Sequence, residues 1–148
     1  RRSKPKIEIV PGVTAATAAA AVLGAPLMSD FAVISLSDLL TPWRVIERRL
    51  KAACNADLVI VLYNPQSHQR REPLAKAHRI MLDSRAPSTP VGIVKRAGRT
   101  DEEAAITTLG EMLRYNIDMS TTIIIGSSTT RIIDGRMVTP RGYKLERL

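Results

Sequence analysis

Two segments of this chain, DLVIVLY at 57–63 and TTIIIG at 121–126, are apolar at consecutive positions. A strand that is apolar on both faces must be covered on both, so such runs belong inside a sheet with a layer on either side. Other β-compatible runs at 7–10, 31–36 and 91–94 alternate with helical stretches near 14–23, 42–54, 72–83 and 101–115. The pattern predicts an α/β domain of three layers, αβα, around a mixed, mostly five-stranded sheet. The mixed character follows from Asp134-Gly135, which stands between two short β-compatible runs in TRIIDGRMVTP and signals a two-residue hairpin.

Local signals place the boundaries. Thr41 before Pro42 reads as a helix N-cap and first turn, and Thr100 with Glu103 reads as a capping box. Asp101, Glu102 and Glu103 then fall in a helical first turn, where the helix dipole favours carboxylates. The stretch PGVTAATAAAAVLGAPL, from residue 11 to 27, predicts a helix ending at Gly24. Alanine favours that helix strongly yet gives it little apolar volume, so it is suited to lie close to whatever it packs against.

The chain carries 22 basic and 14 acidic side chains, a formal charge of +8, which steers it toward an anionic partner. Only five aromatic residues are present, Phe31, Trp43, Tyr63, Tyr115 and Tyr143, too few and too scattered for a base-stacking platform. A polycarboxylate or phosphorylated small molecule fits the charge as well as nucleic acid does. No run approaches the roughly 18–20 apolar residues of a membrane span, and the start RRSKPK lacks a secretory apolar region, which predicts a cytoplasmic location. The single cysteine, Cys54, is expected to be a packed or half-exposed helix residue, and His68 and His78 to be solvated, with no metal site. There is no Gly-x-Ser-x-Gly elbow, and no histidine near Cys54 in sequence.

In open α/β sheets, functional loops follow the carboxyl ends of strands. The loops so selected are 11–14, 63–65, 95–99 and 126–129. They supply donors and small residues without acids, an inventory for holding a ligand and not for activating a nucleophile.

Read in order, IEIVPGVTA, GAPLMSDFAVISLSDLLTPW, ADLVIVLYNP, PVGIVKRAGR, IDMSTTIIIGSSTTR and MVTPRGY resemble the C-terminal half of the tetrapyrrole methylases, from about Ile7 to Tyr143. SLSDLLTPW, LYNP and TPRGY carry more of the resemblance than the widely shared PGVTA. The resemblance implies a two-domain enzyme that binds S-adenosylmethionine between its halves and methylates a corrin precursor of the cobalamin pathway, with ring contraction in this subfamily. It implies that residues 1–148 are the C-terminal domain, since the glycine-rich loop of the N-terminal domain is not among them. It also implies a homodimer. Carried over by motif, Thr14 and Ala15 touch the cofactor, Tyr63 and Asn64 line its adenosine side, and Gly92 and Ile93 lie against it through the backbone. Many relatives have methionine where Asn64 stands. Arg96 and Arg99 face the substrate's carboxylates, Tyr143, Thr139 and Ser128 are candidate proton donors for ring contraction, and no catalytic residue is assigned. Without the resemblance, the residues support a non-catalytic basic α/β module for nucleic acid or an anionic ligand equally well.

Overall fold

The computed structural model describes residues 4–67 and 69–142. The two doubly apolar runs form β3 (Val59–Tyr63) and β6 (Thr121–Ile125), buried side by side at the centre of a five-stranded sheet. Around them stand β2 (Phe31–Ser35), β4 (Pro90–Lys95) and β5 (Glu103–Thr108), in the order β2-β3-β6-β4-β5. β2 runs parallel to β3, whereas β6 is antiparallel to both β3 and β4, and β5 is antiparallel to β4.

The two-residue period of the strands sorts their side chains between two cores. Ile60, Leu62, Ile93, Ile123 and Ile125 pack under α2 (Trp43–Asn55) and α3 (Glu72–Leu82), while Val59, Val61, Val94 and Ile124 pack under α1 (Ala15–Leu23). The three-layer αβα arrangement is as the sequence predicts.

The alanine-rich α1 buries Ala16, Ala19, Ala20 and Leu23 against the sheet. Its approach is close enough to constrain the strand beneath: a Cβ on Gly92 would stand 2.2 Å from Leu23 Cδ1. Thr14 caps the helix, its Oγ1 accepting from the Thr17 N–H, and Gly24 ends it at φ 132°. Gly24 and Ala25 then form β1 (Gly24–Ala25), parallel to β8 (Arg136–Val138), which pairs antiparallel with β7 (Arg131–Ile133) in a small second sheet. Asp134 at φ 48° and Gly135 at φ 72° make the expected tight turn between β7 and β8.

Three boundaries differ from the sequence reading. The helix expected over 101–115 is replaced by β5 and a single 3₁₀ turn, Met112–Arg114. β5 pairs with β4 from Lys95↔Glu103 to Pro90↔Thr108, and this tertiary pairing, with β-branched Ile106, Thr107 and Thr108, overrides the local capping signal. Asp101, Glu102 and Glu103 therefore occupy a strand connection. The strand expected at 7–10 is unpaired: Ile7, Ile9 and Val10 are exposed, and no neighbouring strand among the described residues accepts their backbone hydrogen bonds. Pro42, not Thr41, is the N-cap of α2, and it has no side-chain cap bond. Cys54 is buried as expected, but His78 is half-buried, with Nε2 2.8 Å from the Leu109 carbonyl oxygen. His68 lies outside the described residues. No helix among the described residues is long and apolar enough to cross a membrane.

Candidate functional site

Because β2, β3 and β4 run the same way and β5 and β6 run against them, one edge of the sheet gathers the carboxyl ends of three strands and the amino ends of the other two. The N-terminus of α1 lies over this edge. Tyr63, the last residue of β3, fixes it there: its phenolic oxygen accepts the Ala16 N–H at 2.8 Å, one of the donors a helix start leaves free. Asn64 follows at φ 50°, a left-handed conformation that asparagine tolerates, and its Nδ2 donates to Ser35 Oγ at 2.9 Å. Ala15, Tyr63 and Asn64 on one side, with residues 119–122 on the other, enclose a concavity of about 220 Å³.

The far wall is held from behind. Lys95 is buried and places Nζ 2.9 Å from Asp118 Oδ2, while the Ser120 N–H and hydroxyl donate to Asp118 Oδ1 at 2.9 and 2.6 Å. Partial burial alone would raise the Asp118 pKa, but the bonds from Ser120 and Lys95 outweigh it and hold the carboxyl well below the usual carboxylate range. A depressed folded-state pKa gives stability that is complete above the unfolded value, about 4, and is lost as pH falls toward the folded one. The protein should lose stability on acidification below roughly pH 5, and Asp118→Asn should show a shallower loss over that window. Urea midpoints across the acid range check this, and equal slopes for the two proteins would remove Asp118 from the account.

The other positions singled out in the sequence do not all join the concavity. Thr14 is exposed at the helix cap beside Ala15. Gly92 is buried in mid-strand beneath Leu23, and Ile93 points to the α2–α3 core, where it borders a separate hollow of about 260 Å³ with Lys95, Tyr115 and Asn116. Arg96 sits at φ 51°, its amide donating to the Ser120 carbonyl at 3.0 Å, but its guanidinium is engaged by Asp101 at 2.7 Å and Glu103 at 2.6 Å. Arg99 is exposed, with no carboxylate in ion-pair distance among the described residues. The loop 126–129, expected with the others, lies at the opposite edge because β6 is antiparallel. Ser128 there donates through its N–H to Asp57 at 2.9 Å, and Thr139 is buried against Thr130, 2.8 Å between hydroxyl oxygens, so neither reaches this concavity. Tyr143 lies outside the described residues. Met119, Ser120, Thr121 and Thr122 also line the concavity, and no loop selected from the sequence includes them. Met119 and Ser120 precede β6 and Thr121 and Thr122 open it, and only the direction of that strand brings them here.

The family profile for Tetrapyrrole (Corrin/Porphyrin) Methylases matches residues 1–113. The chain belongs to that family. Within the tetrapyrrole methylases it is 54% identical over 140 residues to a probable cobalt-factor III C(17)-methyltransferase of Salmonella typhimurium, covering 95% of this chain and 58% of that relative. It is 48% identical over 143 residues to a precorrin-3B C(17)-methyltransferase of a Sinorhizobium species, covering 93% of this chain and 56% of the relative. Among solved structures it resembles the methyltransferase CobJ with a TM-score of 0.81 at 32% identity, over 91% of this chain and 56% of that one. The chain thus spans a little over half the length of these tetrapyrrole methylases. Tetrapyrrole methylases use S-adenosylmethionine.

The residues present fit one side of that cofactor. A left-handed asparagine, a small helix start and a polar wall at Ser120, Thr121 and Thr122, whose first two hydroxyls are held by Asp118, offer close approach without a competing nucleophile. At about 220 Å³ the concavity is smaller than typical ligand pockets of roughly 300–1,000 Å³, so these residues account for part of the contact surface.

Proposed function

We propose that this chain is the C-terminal domain of a two-domain, cytoplasmic, homodimeric methyltransferase. The enzyme transfers a methyl group from S-adenosylmethionine to C-17 of a corrin precursor, precorrin-3B or its cobalt form, with ring contraction, in cobalamin biosynthesis. Support comes from one observation above the rest: Ala15, Tyr63 and Asn64, taken from two separate motifs, meet in a single concavity at the N-terminus of α1. Kinship with C(17)-methyltransferases supplies the substrate class.

The bound cofactor would supply an electrophilic methyl group on a sulfonium, whose leaving group is a neutral thioether. The chain's own task is then positioning, and alignment of a reactive pair can account for about 7–11 kcal/mol of a barrier. Ala15 leaves room at the helix start, Tyr63 fixes the height of α1 over the sheet, and residues 119–122, held by Asp118, form the facing wall. Thr14 stands at the rim. Gly92 and Ile93 support the site from inside the sheet and act on the cofactor through the position of β4. Arg99 remains exposed for the substrate's acetate and propionate arms, whereas Arg96 reaches them only by exchanging its partners Asp101 and Glu103.

The test is a calorimetric titration with S-adenosylhomocysteine of the protein at the full length its relatives have, followed by transfer of labelled methyl to the corrin precursor. Saturable binding and transfer are expected. Failure of both, with steeply salt-dependent affinity for a random oligonucleotide, would instead favour a basic binding module.

A further inference from the structure

A wider hollow of about 650 Å³ opens beside the candidate cofactor concavity. Gln66, Ser67 and Arg71, between β3 and the start of α3, form one wall, and residues 113–118 form the other. Gln66 Nε2 donates to the Ile117 carbonyl at 2.7 Å and ties the walls together. The two hollows are neighbours along both strands of chain: Asn64 lines one and Gln66 the other, and Ser120 lines one and Asp118 the other.

Its charges are not balanced. Asp118 is the acid of the hollow, and Lys95 and Ser120 already engage it. Arg71 is exposed and has no carboxylate in ion-pair distance among the described residues. Among the described residues Arg114 pairs only with Glu111 on the same turn, with its side chain 80% exposed, an arrangement worth little in water. Tyr115 and Asn116 add a ring and a neutral amide. An unneutralised guanidinium beside neutral donors matches the two oxygens of a carboxylate, which it can grip through parallel N–H bonds. Arg96, compensated by Asp101 and Glu103, does not offer this.

We propose that this hollow anchors a carboxylate arm of the tetrapyrrole, with Arg71 as its principal cation, and thereby sets how the macrocycle is turned relative to the cofactor. The inference rests on the methyltransferase reading. The probe is uroporphyrin, a tetrapyrrole rimmed by acetate and propionate groups, against its fully esterified form, each titrated by fluorescence into the protein at the full length of its relatives. Parent protein should prefer the acid. Arg71→Gln should weaken uroporphyrin binding roughly tenfold, and Arg71→Lys by less, with no change for the ester. Arg79→Gln, which removes the same charge near the other end of α3, should stay within about twofold. A parent that prefers the acid while Arg71→Gln matches it would overturn this inference and leave the methyltransferase reading standing. A parent with no preference for acid over ester would also overturn this inference, while the methyltransferase reading stands or falls on the methyl-transfer assay.

Discussion

Gly92→Ala should lower the melting temperature by roughly 3–10 °C, the equivalent of about 1–3 kcal/mol of overpacking in a domain of this size. The added methyl would stand 2.2 Å from Leu23 Cδ1 and 3.0 Å from its Cγ, and Leu23 is itself buried, so the side chain has little room to yield. The measurement that decides the cause is a double-mutant cycle. Leu23→Ala alone should cost about 2–5 kcal/mol by opening a cavity, but in its background Gly92→Ala should cost nothing or recover stability, because the new methyl then occupies vacated space. Additive losses would mean that Leu23 is not what requires glycine at 92. A glycine kept only for a cofactor to approach would behave differently: its replacement would leave thermal stability unchanged and weaken S-adenosylhomocysteine binding alone.

Ala15→Trp is expected to have the larger effect on function. Ala15 is exposed at the first turn of α1, so the indole meets no packed core, and the intrinsic helix penalty is below about 0.7 kcal/mol. The same indole, directed into a concavity of about 220 Å³ shared with Tyr63 and Asn64, would fill much of it. Affinity for S-adenosylhomocysteine should fall at least roughly a hundredfold, about 2.7 kcal/mol, in the full-length protein. The check is calorimetry beside a thermal melt. Undiminished binding by a stably folded variant would move the cofactor away from this helix start.

Much of the fold is legible because its strongest signals are local. Strands apolar on both faces demand two covering layers, Asp134-Gly135 demands a turn, and the alanine run with Gly24 demands a closely packed helix that stops where it does. β5 is illegible for the opposite reason. A capping box and three acids argue helix over 101–115, and only pairing along the open edge of β4, the strand just before it in the chain, turns EAAITT into a strand. The same pairing sets Glu103 opposite Lys95 and brings it to Arg96, which explains how an arginine selected as substrate-facing comes to be neutralised by its own connection. The site is half legible. Ala15, Tyr63 and Asn64 follow from motifs, but residues 119–122 depend on the direction of β6, a property of the whole sheet that neighbouring residues do not encode.

That β6 lies between β3 and β4 also has a bearing on biosynthesis. It is the fifth and last strand of this sheet to be made, since β2, β3, β4 and β5 all leave the ribosome before Thr121 does. Until then, β2 can pair with β3 and β4 with β5, but the two ribbons share no native hydrogen bond. Insertion of one late segment, Thr121–Ile125, joins them and closes both cores at once. Cooperativity of the domain therefore resides in its last-made central strand, and the interval before that strand emerges is when the open edges of β3 and β4 are exposed to wrong partners.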